Sequence, residues 1–80
     1  MSSKKRTTPR LTVDWKAVGR RIRALRGFEL TQIEFASRIG ISQNYLSSME
    51  HGKVQIGAEI LLKVAQEFDK TIEWLLTGIE

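Results

Sequence analysis

Eighty residues, 41% of them hydrophobic, suffice for one small domain with a single core. Without cysteine the chain can form no disulfide framework, thiolate metal site or thiol nucleophile, and a single histidine, His51, argues against zinc. The net charge of +4 is unevenly placed: Met1 to Arg26 carries nine of the thirteen Lys and Arg residues and one acid, Asp14, a balance of +8, whereas Gly27 to Glu80 carries four bases and eight acids, a balance of −4. Such asymmetry favours a polyanionic partner, nucleic acid ahead of a membrane surface.

The chain opens on "MSSKKRTTPR", which has charge but no following apolar stretch of the kind a secretory signal needs, and no apolar run approaches the ~18–20 residues required to span a bilayer. A cytoplasmic protein is therefore expected, with residues 1–12 as a basic arm and residues 13–80 as the domain. Asp14 can cap a first helix on which Trp15, Val18, Ile22 and Leu25 form an apolar stripe, with Lys16, Arg20, Arg21, Arg23 and Arg26 mostly off it and Gly27 as its stop. Thr31 and Glu34 form a T-x-x-E capping box for a second helix to about Ile39, with Ile33 or Phe35, then Ala36 and Ile39, facing inward. Gly40 stands where the chain must turn through a left-handed conformation. Ser42 caps a third helix from Gln43 to about His51, with Leu46 and Met49 as its apolar points and Gly52 as its stop. A fourth helix, from about Ala58 to Phe68, carries Ile60, Leu61, Val64, Ala65 and Phe68. Asp69-Lys70 breaks it, and Thr71 caps a last short helix through Ile72, Trp74, Leu75 and Leu76 to Gly78. No segment alternates with period two, so the expected fold is an all-α bundle of five short helices.

The stretch "TQIEFASRIGISQNYLSSMEHGK" holds what a helix-turn-helix requires: small Ala36 where two helices touch, Gly40 in the turn, and Phe35, Ile39, Ile41, Leu46 and Met49 at the apolar positions. With "LTQ", "FA", "GIS", "YLSSMEHGK" and the closing "EWLLTG", the sequence from about Val18 to Gly78 resembles the lambda-repressor-like, Cro/CI-type (XRE) family of helix-turn-helix DNA-binding proteins. The resemblance implies a compact five-helix, lambda-repressor-like DNA-binding domain whose third helix enters the major groove.

That helix presents Gln43, Asn44, Ser47, Ser48 and His51, polar and mostly uncharged. A side-chain amide can bond bidentately to adenine N6 and N7, so Gln43, Asn44 and Ser48, with Ser47 as a weaker candidate, are the expected base-reading residues, at positions the family commonly uses so. Gln32, at the first position of the second helix, can meet a phosphate, as it often does in the family. Tyr45 and Lys53 look like further phosphate contacts, although the Tyr45 ring can equally pack on the bundle. Arg26 and Glu50 match a structural ion pair of the family, across a connection, "RGFELTQ", one residue shorter than its common form. Gly57 stands where the family often has Pro or Ser.

No thiol, His/carboxylate cluster or Gly-rich phosphate loop points to catalysis, and no cofactor, metal or small-molecule effector is expected. The resemblance implies a sequence-specific double-stranded DNA-binding transcriptional regulator, a repressor, acting as a homodimer because one module buries too little surface for tight specific binding. Ile72, Trp74, Leu75, Leu76 and Ile79 are more apolar groups than one short helix can bury, which suggests a dimer interface at Trp74, Leu75 and Ile79, unless Trp74 completes the core. The alternative is a protein-interaction module such as an antitoxin, or a controller protein of a restriction–modification system. Non-specific nucleoid binding would want basic groups on the reading helix, which has none.

Overall fold

The computed structural model describes residues 12–79 and consists, within them, of five helices: α1 (Trp15–Arg26), α2 (Gln32–Ile39), α3 (Gln43–Glu50), α4 (Ala58–Glu67) and α5 (Ile72–Thr77). The basic arm expected over residues 1–12 lies outside the described residues except for Thr12.

Four of the five helices begin where a side chain supplies a cap. The Asp14 carboxylate accepts from the Ala17 N–H at 3.2 Å, the Ser42 hydroxyl from Tyr45 N–H at 3.1 Å and the Thr71 hydroxyl from Trp74 N–H at 2.9 Å. Thr31 and Glu34 complete the capping box, the hydroxyl accepting from Glu34 N–H and the carboxylate from Thr31 N–H. Only α4 starts without a side-chain cap, since its N-cap is Gly57.

Because every helix is too short to persist alone, the fold rests on packing. α1 lies against α3 and α5, α2 against α3 and α4, and α4 against α5. Val18 and Ile22 of α1, Phe35 and Ile39 of α2, Leu46 and Met49 of α3, Leu61 and Val64 of α4 and Leu75 of α5 meet in one core, joined by Ile56 from the α3–α4 connection. Phe35 stacks on Phe68 with ring centroids 5.0 Å apart and planes 11° from parallel. Of the two inward candidates on α2, Phe35 is buried and Ile33 exposed; Trp15 and Leu25, at the ends of the α1 stripe, are only half-buried.

Leu75, expected at a dimer interface, is fully enclosed by this core. α5 turns one apolar side chain completely inward, and that side chain is Leu75, so it has no surface to offer a second copy. Trp74 is half-buried with the Lys70 ammonium 4.8 Å from its ring centroid, and Ile79 is exposed.

Close backbone approach sets the position of α3. A Cβ on Gly19 would lie 2.7 Å from the Glu50 carbonyl oxygen and closer still to that of Met49, so only glycine lets α1 sit on the C-terminal end of α3. At the far end, the Arg21 guanidinium donates to the Leu75 carbonyl at 2.9 Å, tying α1 to an unsatisfied acceptor near the end of α5.

Candidate nucleic-acid interface

Gly40, at φ 83° and ψ 32°, takes the left-handed conformation, and both its N–H and that of Ile41 donate to the Ala36 carbonyl, closing α2 and turning the chain into α3. Ala36 is buried at this junction, where a larger side chain would hold the two helices apart. α3 then runs with Leu46 and Met49 in the core and Gln43 and Asn44 exposed; Ser47, Ser48 and Tyr45 are half-buried, the Tyr45 ring packing against the core. Lys53 is exposed beyond Gly52, with its backbone N–H donating to the Ser48 carbonyl at 2.9 Å. His51 spends Nδ1 on the Ser47 carbonyl of its own helix, at 2.7 Å.

The only buried charged side chain among the described residues lies under this face. Glu50 is 7% exposed and is held by a two-point bond to Arg26: Nε to Oε2 at 2.8 Å and Nη2 to Oε1 at 3.0 Å. The third arm of the guanidinium donates to the Leu30 carbonyl at 3.2 Å, so Arg26 also fixes the α1–α2 turn. Burial alone would raise the Glu50 carboxyl; hydrogen bonds from Arg26 and Gln32, with the positive charges of Arg26 and Arg23, outweigh it and hold the carboxyl below its ordinary value of 4.5. The shortened connection therefore reaches: Arg26 and Glu50 are brought together as expected.

Gln32 extends this arrangement toward α3. Its Nε2 donates to Glu50 Oε1 at 3.0 Å, and its Oε1 accepts from Gln43 Nε2 at 3.4 Å. A carboxylate can only accept, so Glu50 dictates which end of the Gln32 amide faces it, and Gln32 in turn dictates which end of the Gln43 amide faces inward. Gln43, which is exposed, is left with its carbonyl oxygen and one N–H without a side-chain partner among the described residues. An acceptor beside a donor matches the N6 donor and N7 acceptor of adenine. The Gln32 side chain, expected at a phosphate, thus bonds both Glu50 and Gln43, which uses one of its two Nε2 hydrogens.

This relay was not foreseen from sequence, where Gln32, Gln43 and Glu50 read as separate positions. Glu50 was expected to pair with Arg26 alone, and nothing in the spacing points to its bond with Gln32.

A helix-turn-helix family model (HTH_3) matches residues 21–75. The chain belongs to this family. The chain is 40% identical over 53 residues to Antitoxin PezA of Streptococcus pneumoniae serotype 4, an alignment that takes in 65% of this chain and 34% of that protein, so the chain spans about a third of the length of the curated relative it matches. Among solved structures it is similar to the P22 c2 repressor in complex with a synthetic operator, with a TM-score of 0.72 and 27% identity over 78% of this chain and 96% of that one. It is also similar to the restriction–modification controller protein C.AhdI from Aeromonas hydrophila, with a TM-score of 0.69 and 28% identity over 78% and 96% of the two chains. The solved neighbours are all-α helix-turn-helix domains, and the lambda-repressor-like fold is the one observed. No helix among the described residues is long and apolar enough to cross a membrane.

Proposed function

We propose that the protein is a sequence-specific double-stranded DNA-binding transcriptional regulator, a repressor, that inserts α3 into the major groove of an operator half-site. The observation that carries this reading is the exposed amide of Gln43, already oriented by Gln32, Glu50 and Arg26 before any ligand arrives. On this reading Asn44 and Ser48 extend the reading surface by one turn with Ser47 beside them, and the Tyr45 hydroxyl and Lys53 ammonium are the proposed partners of backbone phosphates. The neutral character of the face supports base reading over indiscriminate attraction, which cationic side chains would serve better. The family membership and the operator-bound P22 c2 neighbour point the same way.

Two copies on paired half-sites would supply the contact area that one module lacks. With Leu75 committed to the core, the association surface is proposed around Trp74 and Ile79.

The match to Antitoxin PezA favours a second reading, in which the domain serves an antitoxin and DNA discrimination is secondary to binding a protein. Selection from random duplexes separates the two. The regulator reading expects one enriched, two-fold related site, with adenine opposite Gln43; Gln43→Ala then loses about 1–3 kcal/mol on that site and much less on random DNA. An unenriched pool, or equal losses on both duplexes, would sink it.

A further inference from the structure

A depression of about 720 Å³ lies beside the start of α2, and the base-reading face does not use it. Its walls are Arg20, Arg23 and Arg26 from the last turns of α1, Phe28 and Leu30 from the turn, and Thr31. No carboxylate among the described residues lines it. The charge of Arg26 is offset by Glu50, which leaves Arg20 and Arg23, three residues apart on one face of α1, both exposed and neither in an ion pair among the described residues. Two positive charges on one concave wall make an attractive site for an anion. Phe28, at 108% relative exposure, stands at the rim with nothing covering its ring. Glu29 on the same turn is exposed and lies outside the lining.

The depression borders the start of α2, whose first residue bonds the reading helix. Thr31 immediately precedes Gln32, which bonds both Glu50 and Gln43, and the charge of Arg23 is felt at Glu50. A polyanion lying along α3 and past Gln32 is led to these arginines. We infer that the depression binds the phosphodiester backbone flanking the bases that α3 reads, with Arg20 and Arg23 on phosphates and the Phe28 ring against an adjacent deoxyribose. The inference rests on the DNA-binding reading above and extends its footprint outward along α1.

The test compares the full chain with Arg20→Gln/Arg23→Gln, both exposed positions, on the duplex obtained by selection, across about 50 to 200 mM salt. Each phosphate contact contributes roughly 0.9 to the slope of log affinity against log salt, so the double variant's slope is expected to be shallower by about 1.8. Over that fourfold rise in salt the wild type then loses about twelvefold more affinity than the variant does. Preference for the selected duplex over a scrambled one stays as in the wild type. Trimming the base pairs outside the selected sequence weakens the wild type and leaves the variant unchanged, and Phe28→Ser weakens binding without altering the slope. A wild-type slope in the double variant overturns the inference and leaves the depression to an acidic protein segment. In that case Gln43→Ala still lowers site preference and the regulator reading survives; if the wild type prefers no duplex at all, the regulator reading itself fails.

Discussion

Replacing Arg26 by alanine removes both guanidinium bonds from Glu50 and leaves a carboxylate whose side chain is 2% exposed with a single hydrogen bond from Gln32. Breaking a buried ion pair from one side costs roughly 3–5 kcal/mol, because the remaining charge is uncompensated. The Arg26 side chain is 15% exposed, so water can reach the space it vacates, and the lower end, about 3 kcal/mol, applies. In a domain of this size each kcal/mol moves the melting midpoint by about 4–8 °C, so calorimetry at neutral pH should show a fall of roughly 12–24 °C. Because the folded carboxyl titrates below 4.5, its contribution is fully present above that value and disappears as the pH drops through the folded one. The gap between wild type and Arg26→Ala should therefore close on acidification. Arg26→Met/Glu50→Leu, which removes both charges, should recover much of the loss. An unchanged midpoint at neutral pH, or a gap that widens in acid, would refute the reasoning.

Gly19→Ala should destabilise the domain despite alanine's better helix propensity: the new methyl meets backbone carbonyls of α3, and overpacking of about 1–3 kcal/mol outweighs a gain of at most about 1 kcal/mol. Urea unfolding that shows a more stable variant would contradict this. Gln32→Ala should reduce operator affinity about tenfold and relax the preference for adenine opposite Gln43, as read by fluorescence anisotropy on base-substituted duplexes; unchanged base preference would remove Gln32 from the orienting role. At α5, Ile79→Asp should give a folded protein with weakened self-association, whereas Leu75→Asp should fail to fold, since it places a charge in the core. Sedimentation and circular dichroism decide both, and a dimeric Ile79→Asp protein would move the interface elsewhere.

The helix boundaries were legible because their signals are local. Asp14, Thr31, Ser42 and Thr71 each cap a helix with their own side chain, and Gly40 and Gly78 take the left-handed conformation that ends one. Apolar spacing likewise found Val18, Ile22, Leu46, Met49 and Val64. What remained hidden depends on three-dimensional proximity. Nothing in the spacing distinguishes Gly19 from an ordinary helical glycine, yet it touches the α3 backbone. Arg21 reads like its basic neighbours and differs only in reaching the Leu75 carbonyl 54 residues away. The α5 surplus of apolar residues was real, but which of them the core would take depended on how α5 meets α1 and α4, and the outcome moved Leu75 from surface to interior. The same holds for the site: α3's polar face was visible, whereas the orientation of the Gln43 amide required the Gln32 and Glu50 contacts.

Stability and recognition are joined in α3. Eight residues make a helix too short to hold its shape in water, and its position comes from three separate restraints: the Ser42 cap at its start, Leu46 and Met49 in the core, and its end seated against Gly19 with Glu50 pinned by Arg26. All three act from the inner side, which leaves Gln43, Asn44 and Ser48 to meet a ligand from the other. Base-edge hydrogen bonds demand placement to within about half an ångström, whereas a cation near a phosphate tolerates considerably more. Loosening any restraint should therefore erode discrimination between duplexes before it erodes salt-dependent affinity. Substitutions at Gly19 and Arg26, which touch only the end of α3, belong by this argument with those at Gln43 in their effect on specificity, and with the core in their effect on stability.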